Sequence, residues 1–222
     1  MKIPAITIDK ILKDACPDLQ IGALLIRVRV APAGPDLLQE IQKVTTERSA
    51  AMAVEEIAKI PALSATRLAY KTLGKDPSRY RPSAEALLRR VVKGKGLYQV
   101  NNVVDVLNMV SVNSGFSIGG FDFDKISGDL QAGRGVAGEP YEAIGRGVLN
   151  IEGLPVLRDA IGAFGTPTSD CTRTMVVKDT TTFLAVILDF SKGDELEKAL
   201  EEMEKLLVKY ASGEMIERKI FV

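Results

Sequence analysis

The chain has 222 residues, 46% of them apolar and 26% charged, the composition of an ordinary folded protein rather than a disordered or fibrous one. Lys+Arg and Asp+Glu number 29 each, so no overall field draws the chain to nucleic acid or to an anionic membrane, and any such attraction has to come from local clustering. Histidine is absent, which removes Ser-His-Asp and Cys-His nucleophile systems, His-ligated zinc or haem, and imidazole acid–base chemistry.

The first residues, MKIPAITIDKILKD, carry acids and a proline where a signal peptide has its apolar stretch. The longest aliphatic runs, such as Phe183–Leu188, fall far short of the ~20 residues that span a bilayer. A cytoplasmic protein with no membrane partner is therefore expected. Ala5–Ile8 and Ile21–Val30 read as strands, the second passing into an alternation that sets Ile26, Val28 and Val30 on one face. The spacing of Leu37, Ile41, Val44, Ala51 and Ile57 predicts a helix from Asp36 to about Ala58, entered through Pro35. Further helices are predicted over Ser64–Leu73 and Ser83–Val92, the second with Ser83 in the capping place after Pro82.

From Arg67 to Lys95 nine bases face only two acids, Asp76 and Glu85, a local excess of seven positive charges. Arg79, Arg81, Arg89, Arg90, Lys93 and Lys95 are the candidate RNA-binding residues in this strip, because closely spaced cations gain by releasing counterions from a phosphate backbone. The alternative is a solvated helical face balanced in space by acids elsewhere, for which the acidic C-terminal helix is available.

Asn101 to about Val112 predicts an apolar helix ended by Asn113 and Gly115. From there to Phe190 glycines and prolines recur, and Val148–Ile151, Thr174–Val177 and Thr182–Phe190 suggest strands joined by tight turns. Asp194–Tyr210 is an amphipathic helix with Leu196, Ala199, Leu200, Met203, Leu206 and Leu207 on one face and Asp194/Lys198 and Glu201/Lys205 as favourable pairs. Arg218–Val222 is a last strand returning to the sheet. The whole is expected to be one α+β unit.

Gly133–Gly138 spells GxGxxG, but it lacks the buried strand before it, and Pro140 comes too early for the helix that a dinucleotide site needs after it. No GxxxxGK[ST] phosphate loop is present. Cys16 and Cys171 are too few for a disulfide framework or a Cys₄ metal site and are expected to be free thiols; neither a metal nor a cofactor is expected. The segment Thr166–Thr174 gathers four threonines, Ser169, Asp170 and Arg173. Hydroxyls and a carboxylate in a turn can place a water or an ammonium, or they can simply satisfy the turn's own backbone.

The stretch Asn101-Asn102-Val103-Val104-Asp105-Val106-Leu107-Asn108-Met109-Val110, continued by Gly115-Phe116-Ser117-Ile118-Gly119-Gly120-Phe121-Asp122, closely resembles the signature of the B3/B4 domain of the phenylalanyl-tRNA synthetase β subunit. There the pattern reads approximately N-x-V-V-D-V-T-N-Y-V, then a turn, then G-Q-P-L-H-A-F-D. The upstream Arg81–Arg90 and downstream Ala132–Gly145 stretches look like the same domain in free-standing form. The resemblance covers about residues 60–190, with 1–60 as a strand-and-helix extension and 191–222 as a closing helix and strand.

The resemblance implies an α+β fold with mixed sheets and surrounding helices, and a partner that is tRNA or aminoacyl-tRNA. It also implies an editing pocket in which a wrongly attached amino acid is hydrolysed. Carried over, Asn108 matches a polar pocket residue, Gly120 and Phe121 match pocket-wall backbone, and Thr166 to Arg173 looks like the closing loop. Gly119 stands where the synthetase has the histidine associated with editing. Asp170 is the nearest counterpart of the carboxylate that reads the tyrosine phenol. On this basis Asn108, Asp170 and Thr172 are the candidate catalytic residues, and Gly119, Gly120, Phe121, Thr166, Ser169 and Arg173 the candidate substrate contacts. Backbone N–H groups at 119–121 are expected to form an oxyanion pocket, with the paired glycines widening the cavity. The resemblance is compatible with deacylation in trans and with binding without turnover, and with an amino acid, small molecule or protein partner as the bound species. A chain of this length lacks the ATP-binding core, so complete aminoacylation is excluded.

Overall fold

The computed structural model describes residues 1–222. In chain order the elements are β1 (Ile6–Ile8), α1 (Lys10–Ala15), β2 (Gln20–Arg27), α2 (Pro35–Ala51), α3 (Pro61–Thr72), α4 (Ser83–Val92) and α5 (Asn102–Ser114). They continue with β3 (Ile118–Asp122), β4 (Leu130–Arg134), β5 (Glu142–Ala143), β6 (Gly147–Val148), β7 (Pro155–Arg158), β8 (Ala163–Gly165), β9 (Thr182–Asp189), α6 (Glu195–Ala211) and β10 (Glu214–Phe221). The class is α+β, with one sheet ordered β10-β2-β9-β3 and a mixed sheet ordered β1-β4-β7-β8, in which β1 and β4 run parallel.

Within the first sheet β2 and β9 are buried on both faces, which is why they read as apolar runs rather than as alternations. Leu24, Ile26, Phe183, Ala185 and Ile187 face the helices, in a core with α2, α4, α5 and α6. Ile21, Ala23, Leu25, Leu184, Val186 and Leu188 face the second sheet, in a separate core with Phe121, Leu130 and Phe164. The result is three layers: helices, sheet, sheet. Gly22 lets α6 press onto β2, since a Cβ there would lie 2.7 Å from Leu196 Cδ1.

Several local expectations are corrected. The strand from Ile21 ends at Arg27, although Val28 and Val30 still pack on the helical core. The long helix after Pro35 stops at Ala51, and Ile57–Lys59 is a separate 3₁₀ turn. Ser83 does not cap α4: Pro82 occupies the capping place, and the Ser83 N–H donates instead to Pro167 O at 2.8 Å. Thr174–Val177 is not a strand, because the Val177 and Thr180 backbones and the Thr180 hydroxyl close a turn. Of Val148–Ile151 only Val148 is in a strand; Lys75 Nζ takes the carbonyls of Asn150 and Glu152 at 2.8 and 2.6 Å.

The pairs foreseen along α6 do not form. Lys198 reaches Glu195, and Glu197, Glu201 and Glu204 converge on Arg218 of β10, which runs antiparallel beside β2 under the same helix. The GxGxxG letters end β4 and begin a crossing in which Gly135 packs on the Ile151 carbonyl, with no helix after it. Cys16 and Cys171 are free and buried, and burial pushes the Cys16 thiol up to about 11. No helix is long and apolar enough to cross a membrane.

Candidate functional site

Local sequence fixes α5 at both ends. The Asn101 side chain accepts the Val104 N–H at 2.9 Å, and Gly115 takes the left-handed conformation, φ 80°, that ends the helix and turns the chain into β3. Asn102 is buried and ties two distant backbone segments together through three groups. Its carbonyl oxygen accepts from Ala31 N–H at 2.9 Å, and its amide donates to Arg29 O and Tyr210 O at 3.0 and 2.9 Å.

Beside α5 and β3 lies a cavity of about 680 Å³, within the ~300–1,000 Å³ usual for small-molecule sites. Its deep side is formed by buried Leu107, Ser111, Ile118, Gly120, Thr166 and Thr168. Its rim is formed by exposed Lys93, Lys95, Tyr98, Val100, Ile144 and Arg146. Asn108, Ser169 and Asp170 line the space half-buried, and neither the Asn108 amide nor the Ser169 hydroxyl has a partner within the protein.

Asp170 is the chemical centre of this wall. Its Oδ2 accepts the Gly120 N–H at 3.0 Å, and Oδ1 has no donor. Burial pushes its carboxyl up to about 7, against the weaker lowering effect of the Gly120 hydrogen bond. The carboxylate in turn joins burial in holding the neighbouring Tyr141 phenol far above its usual range. Two hydroxyls of the loop are taken up within the protein. Thr166 Oγ1 accepts the N–H groups of Thr168 and Ser169, both at 3.1 Å, and Thr168 Oγ1 donates to Tyr80 O at 2.9 Å while meeting the Tyr70 hydroxyl at 2.9 Å.

Strand alternation splits the paired glycines. Ile118 and Gly120 face the cavity, whereas Gly119 and Phe121 face the sheet–sheet core, Phe121 in an edge-to-face contact with Phe164 at 4.8 Å between centroids. The glycines do not widen the cavity; they admit close neighbours. A Cβ on Gly119 would lie 2.6 Å from Phe121 Cζ, and one on Gly120 would lie 2.5 Å from Leu107 Cδ1. Nor do the 119–121 amides form an oxyanion pocket. The Gly120 N–H is taken by Asp170, so the ladder to β9 runs through the amides of Gly119 and Phe121.

Thr172 and Arg173 stand outside the cavity. Thr172 sits in a 3₁₀ turn, and Arg173 is bound by Asp159 at 2.9 and 3.0 Å. Within the basic strip, Arg67, Arg81 and Arg89 surround the buried Glu85, with N···O distances of 2.7, 3.4 and 2.8 Å. Arg79 is off the cavity, 5.5 Å from the Tyr80 ring. Arg90, Lys93 and Lys95 reach the cavity with no ion-pair partner, and Arg146 joins them from the β5–β6 turn. The acidic face of α6 is occupied with Arg218 and does not balance the strip. Sequence reasoning missed Arg146, which carries no local signal. It also missed Tyr98, which an aromatic among the bases could have flagged.

The family model described as the B3/4 domain matches residues 65–212. The phenylalanine–tRNA ligase beta subunit of Bartonella quintana (strain Toulouse) is 27% identical over a region that is 56% of this chain and 19% of that subunit. An N-terminal fragment of the phenylalanyl-tRNA synthetase beta-subunit from Pyrococcus horikoshii aligns with 96% of this chain and 52% of the fragment, at 17% identity and a TM-score of 0.49. The chain thus spans only a part of each of these relatives.

Proposed function

The chain belongs to the B3/4 domain family, and from that premise we propose that its large cavity receives the 3′ end of an aminoacylated tRNA. The observation that carries this reading is the layering of the cavity. Four cations without ion-pair partners, Arg90, Lys93, Lys95 and Arg146, stand over the free polar groups of Asn108, Ser169 and Asp170. Cations at a rim suit phosphates, and a carboxylate with neighbouring amide and hydroxyl groups suits the ammonium and ester of an attached amino acid. A tRNA-linked role places the protein in the cytoplasm. Residues 1–222 act as one unit in it, because β2 sits at the centre of the sheet whose edge strand β3 lines the site.

A second reading adds turnover, and it is favoured by the Asp170 carboxyl titrating near 7. In its ionised form this carboxylate is able to take a proton from water. Water then attacks the ester carbonyl as its proton passes to Asp170, and the C–O bond to the ribose breaks as Asp170 returns that proton to the departing oxygen, which leaves as a hydroxyl. With the β3 amides committed, the free Asn108 amide is the donor for the developing oxyanion.

Both readings are tested with purified protein, a panel of correctly and wrongly charged tRNAs, and the same tRNAs uncharged. Salt-dependent binding that is tighter for the charged forms supports the cavity assignment. No binding to any of them at low salt overturns it. A shortened ester lifetime that Asp170→Asn restores to the uncatalysed value supports turnover, and an unchanged lifetime across the panel leaves a binding module.

A further inference from the structure

The rim of the cavity carries an aromatic surface that no part of the polar site uses. Tyr98 is 57% exposed, unusual for a side chain with a large apolar ring, and the Arg90 guanidinium lies over one face of it at 4.0 Å from the centroid. With that face covered, most of the exposure belongs to the opposite face and the ring edges. The segment carrying the ring is shaped and pinned rather than loose. Gly94 and Gly96 adopt φ of 70° and 60°, the Lys95 N–H donates to Arg90 O at 3.0 Å, and the Val100 N–H donates to the buried Asp105 carboxylate at 2.8 Å. Val100, Ile144 and Met175 extend the apolar surface around the same rim, each at least 40% exposed.

We infer that Tyr98, backed by Arg90, is a stacking platform for the terminal nucleobase of a single-stranded RNA 3′ end. The inference rests on the tRNA reading above and deepens it by naming the nucleotide contact. Three features favour an unpaired base over another flat apolar group. The covered face is held by a cation, which fixes the ring and strengthens its stacking. Lys93, Lys95 and Arg146 on the same rim supply partners for the phosphates that flank such a base. An aromatic face set among cations is the arrangement by which proteins hold single strands without reading their sequence. A base stacked there keeps its ribose at the cavity mouth, with the attached amino acid directed toward Asp170.

The test uses the full chain with two RNA probes, a complete tRNA and the 5′-phosphorylated trinucleotide CCA, the latter with 2-aminopurine in place of the terminal base. The variants are Tyr98→Ala and Tyr98→Phe, at a position exposed enough that circular dichroism should show both folded. Stacking predicts quenching of 2-aminopurine by the wild type and by Tyr98→Phe, and a loss of affinity of roughly 5- to 100-fold in Tyr98→Ala. The loss should vanish for a tRNA trimmed by its last nucleotide. Trinucleotide binding that depends on Tyr98 supports the platform even if complete tRNA is not bound, in which case the tRNA reading falls alone. Complete tRNA bound equally by wild type and Tyr98→Ala overturns the platform while leaving the cavity reading in place. Failure of the wild type to bind or quench the trinucleotide overturns it as well.

Discussion

Asp170→Asn isolates the electrostatic character of the cavity wall. Asparagine keeps the shape and an acceptor for the Gly120 N–H but has no proton to lose. In the folded wild type, burial holds the Asp170 proton up to about 7, whereas the ordinary value is 3.8. Because the folded pKa is raised, the unfolded chain releases this proton first as pH rises, and stability declines between pH 4 and 7 and then levels. At ~1.4 kcal/mol per pH unit, the part of this decline lying between pH 5 and pH 8 is at most roughly 2–3 kcal/mol. For a chain of this size ~1 kcal/mol moves Tm by about 2–4 °C. The Tm of Asp170→Asn relative to wild type should therefore rise by up to roughly 5–10 °C on going from pH 5 to pH 8. Comparing the two pH values cancels any packing change that does not depend on protonation. Thermal scans followed by circular dichroism read the shift directly. A gap that is the same at both pH values, or that narrows at pH 8, refutes the assignment of a buried, proton-holding carboxyl.

Glu85→Ala leaves three guanidiniums facing one another without their anion. Because those arginines are 20–41% exposed, water offsets part of the cost, and a loss of about 2–3 kcal/mol in urea unfolding is expected. Asn102→Ala unpairs the Ala31 N–H and the Arg29 and Tyr210 carbonyls, and the same assay should show about 2–3 kcal/mol lost. Gly120→Ala sets a methyl 2.5 Å from Leu107 Cδ1 and 3.0 Å from Phe183 Cε2, which costs about 1–3 kcal/mol of stability through overpacking. Removing two phosphate contacts with Lys93→Ala and Lys95→Ala together should lower the slope of log affinity against log salt by about 1.4 in RNA binding. An unchanged slope removes these lysines from the interface.

The layers of the fold were largely readable, for physical reasons that differ by element. β9 announced itself because a strand buried on both faces needs apolar residues at every position. α5 was bounded because an asparagine cap and a left-handed glycine act within a few residues of the helix they close. The short strands β4, β7 and β8 were legible only as a β-rich tract, since each is 3 to 5 residues long and defined by its neighbours. The site divides the same way. Asn108, Gly120 and Asp170 follow from the resemblance to the B3/B4 domain, and the structure brings them to one cavity. The resemblance groups Gly119 and Phe121 with Gly120, while strand alternation sends them to the other face of β3. The charge excess of the strip was visible, but its division was not. Glu85 takes up three arginines through spacings of 18 and four residues, and that depends on how α3 meets α4.

The position of Asp170 follows from a requirement of the sheet before any requirement of a ligand. β3 is an edge strand, so the Gly120 N–H on its open side has no neighbouring strand to receive it. A partly enclosed amide of this kind needs an acceptor, and the loop after β8 supplies the Asp170 carboxylate at 3.0 Å. That single hydrogen bond fixes one carboxylate oxygen and leaves the other without a donor, in a residue that lines the cavity together with Asn108 and Ser169. It also offsets only part of the penalty of burial, which is why the carboxyl remains raised to about 7. A group bearing a positive charge, such as the ammonium of an attached amino acid, lowers that penalty when it enters, whereas a neutral or anionic group does not. The same contact that closes the edge of the sheet therefore leaves a raised carboxyl on the cavity wall, where a cationic group is favoured over a neutral or anionic one.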